Sequence, residues 1–175
     1  PTDYLTYCRL IKAFATRQLP DRATRVLHDL LSQQSQTQPQ SDRNPRTTVG
    51  VEAFNNAICS WALASSYPNR VDEAFAVLTL MEQHGVPPNT ETYRKLLQCL
   101  ATSKEANAGR RAESVLDQIL LRTGKVDATA ADDGDTTTAT TKLTGDVTLE
   151  ESAFNLTIRA CLESGDYDRA DQVLA

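Results

Sequence analysis

The sequence predicts an all-α protein, an α-solenoid of antiparallel helical hairpins, and three observations carry that prediction. The segment from Phe54 to Tyr93 is a complete two-helix unit that begins again at its own end. Four candidate first helices can be laid over one another from an opening aromatic, at Tyr7, Phe54, Tyr93 and Phe154. Four candidate second helices each carry an early alanine, at Ala23, Ala74, Ala112 and Ala170, followed by a Val-Leu pair at similar offset. Self-similarity of this kind marks units that bury their apolar faces only against their neighbours.

The first unit, about residues 4–31, places Tyr7, Leu10, Ile11 and Phe14 on one helical face, then Asp21 near the start of its second helix. Residues 32–50, rich in Gln, Ser and Pro, have the composition of a flexible insertion. The second unit, 51–89, sets Phe54, Ala57, Ile58 and Trp61 on one face and lengthens its turn through Ser65-Ser66-Tyr67-Pro68-Asn69. Its second helix opens with Val71-Asp72-Glu73-Ala74-Phe75, and Gly85 with Pro87-Pro88 ends the unit. The third unit, 90–124, offers Tyr93, Leu96, Leu97 and Leu100. A second flexible insertion is expected over 125–149, where Asp132-Asp133-Gly134-Asp135 lacks the terminal glutamate of a calcium loop. The fourth unit, 151–175, offers Phe154, Ile158 and Cys161, with Thr157 as a weaker member. An acid near a helix start, as at Asp21, Asp72 and Asp168, is favoured by capping and by the helix dipole. The spacings between the aromatics, 47, 39 and 61 residues, differ because the insertions fall between units, where a longer loop costs little extra entropy.

Charge and cysteine usage narrow the chemistry. The formal net charge is −5, yet seven acids and a single base lie between Val126 and Glu151, leaving 16 acids against 17 bases elsewhere. A nearly neutral repeat body does not exclude a polyanionic ligand. Cys8, Cys59, Cys99 and Cys161 lack metal-ligand spacing and each falls in a first helix, as expected of free thiols that pack as small hydrophobes. No cysteine lies near His28 or His84, so no metal and no cofactor are expected. No nucleophile stands with a base, so the chain is not expected to be an enzyme, and no apolar run is long enough for a membrane span. Opening at Pro1 and stopping within a helix at Ala175, the chain is expected to be a fragment, and its missing leader carries no information on compartment.

The order aromatic-Asn, apolar helix, Asp-Glu-Ala helix, Met81-Glu82-Gln83-His84-Gly85, then Pro88-Asn89 before Thr92-Tyr93 resembles the pentatricopeptide repeat family. The Gly85-x-x-Pro88-Asn89 ending separates it from the tetratricopeptide repeat, which has a similar period. The resemblance implies a right-handed superhelix that binds single-stranded RNA in a mitochondrion or plastid, one base per repeat. In it, the residue after the opening aromatic and the last residue of the unit contact the base edge together. Here these are Asn55 and Asn89, a pairing that in the family goes with pyrimidines, cytosine ahead of uracil.

The other units depart from the pattern. Cys8 and Arg94 hold the reading position in the first and third units, with Gly50 and Glu150 at the displaced unit ends, while Asn155 restores the usual type in the fourth. Arg94 is open to two roles, reader or ion-pair partner of Glu150. Glu52 and Glu91 replace the apolar residue that sandwiches the base and are expected to repel phosphate. One helical turn after each reading position come Lys12, Cys59, Gln98 and Arg159, flanked by Arg9 and Lys95. The cations of that row either meet phosphate or are solvated helix residues. The expected partner is single-stranded RNA; the alternative is a protein scaffold within an organellar assembly such as a ribosome, its groove holding a protein partner.

Overall fold

The computed structural model describes residues 4–37, 49–127 and 139–174. Among them are eight α-helices and no strand: α1 (Tyr4–Thr16), α2 (Pro20–Thr37), α3 (Val51–Leu63), α4 (Arg70–Gln83), α5 (Thr90–Ala101), α6 (Ala108–Asp127), α7 (Ala139–Glu163) and α8 (Tyr167–Leu174). They follow one another along the chain in the predicted order of first and second helices. Two compact units divide the chain, Pro1–Cys99 and Leu100–Ala175.

In the first unit α1 packs on α2 and on α3, α2 also reaches α3, and α3 packs on α4. The core follows the overlay of the four aromatics. Phe54, Ile58, Leu96 and Leu97 are fully buried, and so are Ala23 and Ala74 of the second helices. Each large side chain so buried contributes about 1.5–3 kcal/mol, while the alanines let α2 and α4 approach closely. Pro20 opens α2, where its fixed φ suits the first helical position and its missing N–H costs nothing. The lengthened turn 65–69 folds back on the core. Tyr67 stands edge-on to Trp61, ring centroids 5.7 Å apart at 89°, and the Trp61 indole N–H donates to Thr24 Oγ1 at 2.9 Å. Gly85 then ends α4 at φ 68°, with the Val86 N–H reaching back to the Met81 carbonyl at 3.0 Å. That left-handed turn is the reason for glycine there.

The second unit places α7 on α6 and α8 on α7. Gly109 lies near the start of α6, where a Cβ would come within 3.1 Å of Cys161 Cα and Sγ and of Ser164 Oγ. α8 is tied back to α6 by Arg169, which donates to Glu113 and to Asp166, each at 2.7 Å. Those two hydrogen bonds raise the Arg169 pKa above its usual value.

Several expectations need correction. Where flexible insertions were expected, α2 runs on to Thr37, α6 reaches Asp127 and α7 already begins at Ala139. The remainder of both segments, 38–48 and 128–138 with its Asp132-Asp133-Gly134-Asp135 run, lies outside the described residues. Leu10, expected in the α1 core stripe, is exposed, as is Leu174 of the fourth Val-Leu pair. Thr157 is fully buried, its hydroxyl donating to the Ala153 carbonyl at 2.9 Å.

Candidate nucleic-acid interface

Asn89 immediately precedes the first residue of α5, and its side chain caps that helix. Oδ1 accepts the Thr92 N–H at 3.0 Å, while Thr92 Oγ1 accepts the Asn89 N–H at 3.1 Å, a reciprocal cap. Asn55, projecting from α3 next to Phe54, joins this cap. Its Nδ2 donates to Asn89 Oδ1 at 3.3 Å, and its Oδ1 accepts from the Thr92 hydroxyl at 2.7 Å. The same hydroxyl stands 2.9 Å from Asn89 Oδ1, so one proton serves two acceptors. Asn55 is only 8% exposed, whereas Asn89 is exposed. The donors around it fix the orientation of the Asn89 amide: Oδ1 faces inward to a backbone N–H, and Nδ2, with no hydrogen bond among the described residues, is turned away from them. The two predicted readers thus meet, through a residue that sequence reasoning missed. Thr92 was signalled by the Asn-x-x-Thr spacing of a reciprocal cap.

The first unit is closed at the corresponding place. Cys8 is buried and shares a hydrogen bond with the Tyr4 hydroxyl, which also accepts the Gly50 N–H at 3.1 Å. A Cβ on Gly50 would come within 2.7 Å of that hydroxyl, so only glycine lets Tyr4 lie this close. Burial pushes the Cys8 thiol up, with the Tyr4 hydrogen bond opposing, and burial likewise lifts Tyr4 well above its usual 10. Tyr4 carried no sequence signal, because its partner Gly50 is 46 residues away.

In the third unit Arg94 is paired, and the partner is Glu91. Arg94 Nε and Nη2 each donate to one carboxylate oxygen at 2.7 Å, and Lys95 Nζ lies 2.9 Å from Oε1. The Arg94 hydrogen bond, opposed by burial and reinforced by Lys95, holds Glu91 at about 2 instead of its usual 4.5. Glu91 was expected to repel phosphate; it is instead countered by two cations. Lys95 is correspondingly engaged, and the Glu150 side chain lies outside the described residues. Glu52 is exposed.

Asn155 is exposed on α7, and so are Lys12 and Arg9 on α1 and Arg159 on α7. Among the described residues Lys12 and Arg159 form no salt bridge. Cys59 and Gln98, the other members of that row, are half-buried. All four cysteines are free thiols. Among the described residues no three His, Cys, Asp or Glu side chains gather as metal ligands, and no helix is long and apolar enough to cross a membrane.

Paired helices in a common register, with a polar amide pair between α3 and the start of α5, define a helical-repeat protein. Residues 51–133 match the family model described as pentatricopeptide repeat-containing protein. Over that stretch the chain is similar to the pentatricopeptide repeat family, and the match begins at the first residue of α3. No curated protein matches the chain.

Proposed function

We propose that this segment binds single-stranded RNA through its first-helix surface and acts in organellar RNA metabolism, in processing, stability, editing or translation, by occupying a site. The observation that carries the proposal is the Asn55–Thr92–Asn89 network, which occupies Asn89 Oδ1 and turns its Nδ2 donors outward. A pyrimidine edge meets them differently according to its identity. Cytosine presents acceptors at both N3 and O2, whereas uracil presents a donor at N3, so outward N–H donors favour cytosine. Asn155 offers a second exposed amide, while Lys12 and Arg159 supply exposed cations for phosphate. Arg94 and Gln98 complete the surface as neighbours, with Arg94 held by Glu91 rather than free to read. The full-length protein, titrated by fluorescence anisotropy with short RNAs, is expected to bind in a salt-dependent manner. Binding that is absent, or indifferent to salt, overturns the proposal.

A scaffold role is the second reading, favoured by the closed Cys8/Gly50 pair and by the internal pairing of Arg94. An open groove of about 400 Å³ between α2 and α4, lined by Thr24, His28, Glu73, Val77, Leu80 and Gln83, offers a peptide-sized surface away from the amide pair. Copurification with a stable protein assembly after nuclease treatment is the outcome that selects this reading.

A further inference from the structure

The second and third units place an acid at the same register position, two residues before the opening aromatic: Glu52 before Phe54 and Glu91 before Tyr93. Each lies in the first turn of its helix, α3 or α5. What stands one turn further on differs. Three and four residues after Glu52 come Asn55 and Asn56, whereas three and four after Glu91 come Arg94 and Lys95, and side chains at those spacings meet on one helical face. Glu91 is gripped by both of its cations, and Glu52 has none one turn along its own helix.

The grip on Glu91 uses the groups that an RNA backbone needs. Arg94 presents its Nε–Nη2 edge to the two carboxylate oxygens at 2.7 Å, the fork that holds carboxylate and phosphate alike. Lys95 Nζ adds a third contact at 2.9 Å. Held at about 2, the Glu91 carboxyl is ionised throughout the neutral range, so the pairing persists there. The side chains are 35% exposed for Arg94, 38% for Glu91 and 16% for Lys95, which puts the cluster at the surface rather than in the core. It also stands beside the amide pair: Glu91 is two residues after Asn89, and the Arg94 guanidinium lies within electrostatic reach of Cys59, one turn along α3 from Asn55.

We propose that Glu91 is a built-in competitor of the RNA backbone, a carboxylate that fills the fork of Arg94 and Lys95 and keeps the third unit from contacting phosphate. The competitor role rests on the RNA-binding reading above and adds to it the residue that sets affinity. A phosphate oxygen arriving at Arg94 has to displace an acceptor tethered to the same helix, and the displaced charge stays nearby to repel it. Anisotropy titrations of the full-length protein with a fluorescein-labelled oligocytidylate, from 50 to 200 mM salt, compare wild type with three variants: Glu91→Gln, Glu52→Gln, and Glu91→Gln combined with Arg94→Gln and Lys95→Gln. Each phosphate contact on a single strand adds about 0.7 to the slope of log affinity against log salt, so uncovering two cations in Glu91→Gln should steepen it by about 1.4. Over that fourfold range of salt the variant should therefore lose about sevenfold more affinity than wild type. Glu52→Gln removes the same charge at the same register without uncovering a cation, and the triple variant leaves no cation to uncover; both should keep the wild-type slope. Glutamine matches glutamate in size and helix propensity, so helical circular dichroism should be unchanged. A Glu91→Gln slope equal to wild type, or one that Glu52→Gln or the triple variant reproduces, overturns the competitor and leaves RNA binding standing. Binding by Glu91→Gln but not by wild type supports the competitor and sinks the RNA-binding reading of the native chain. Binding by neither overturns both.

Discussion

The sharpest perturbation of the amide pair is Asn89→Asp, because it separates capping from reading. Aspartate caps a helix about as well as asparagine, and its charge at the α5 N-terminus gains about 0.3–1 kcal/mol from the helix dipole. The inner oxygen still accepts the Thr92 N–H and the Asn55 amide, now at 3.0 and 3.3 Å. Stability should therefore hold or rise slightly. The outward group changes completely, from an amide with two donors to a carboxylate oxygen that only accepts. Facing cytosine N3, it sets acceptor against acceptor; facing uracil, it receives the N3 proton. A mismatched buried polar contact of this kind costs about 1–3 kcal/mol, and 1.4 kcal/mol is tenfold in affinity. The preference should invert from cytosine to uracil by about tenfold in each direction. Competition anisotropy, with RNAs differing at one position, measures the ratio directly and is insensitive to weak absolute affinity. Asn89→Ala serves as the control that loses both the cap and the discrimination. An Asn89→Asp protein that still prefers cytosine, or an Asn89→Ala protein that discriminates as well as wild type, refutes the assignment of the outward amide as a reader.

Thr92→Val keeps the shape of a fully buried side chain but strands Asn55 Oδ1 and the Asn89 N–H; urea unfolding should show a loss of about 2–3 kcal/mol, restored by Thr92→Ser. Glu91 has a folded pKa held at about 2 against its usual 4.5, so its stabilisation is complete above 4.5 and is lost as pH falls through 2. With the carboxylate side chain 38% exposed, that contribution is below about 1 kcal/mol after screening, and Glu91→Gln should flatten the unfolding midpoint between pH 4.5 and 2. Gly109→Ala drives a methyl to 3.1 Å from the Cys161 backbone, where overpacking of about 1–3 kcal/mol exceeds the helix-propensity gain of about 1 kcal/mol; the expected result is a lower thermal midpoint by circular dichroism.

What could be read from the sequence was whatever recurs. The aromatics and the four alanines occupy buried or half-buried positions because each hairpin meets the same packing problem. Asn55 and Asn89 were legible as a pair only through the family that their unit resembles, since the other units carry different residues at these positions. What stayed hidden depends on a single packing event that no other unit repeats, such as Tyr4 lying over Gly50 or Tyr67 turning back onto Trp61. Leu10 was misplaced because periodicity marks an apolar stripe without saying whether a neighbour covers it. The helical extensions to Thr37 and from Ala139 were missed because a polar composition without an apolar stripe reads as loop.

Asn89 caps α5 and, on the proposed reading, also faces the ligand, and this limits what can replace it. Any substitute must first start a helix, which confines the choice to the short side chains with an acceptor: Asn, Asp, Ser and Thr. Each of these, with its acceptor turned inward, presents a different remainder outward: an amide, a carboxylate oxygen, a hydroxyl hydrogen or a methyl-bearing carbon. The chemistry available for recognising a partner at this point is a four-letter alphabet, dictated by the backbone geometry of α5 before any ligand arrives.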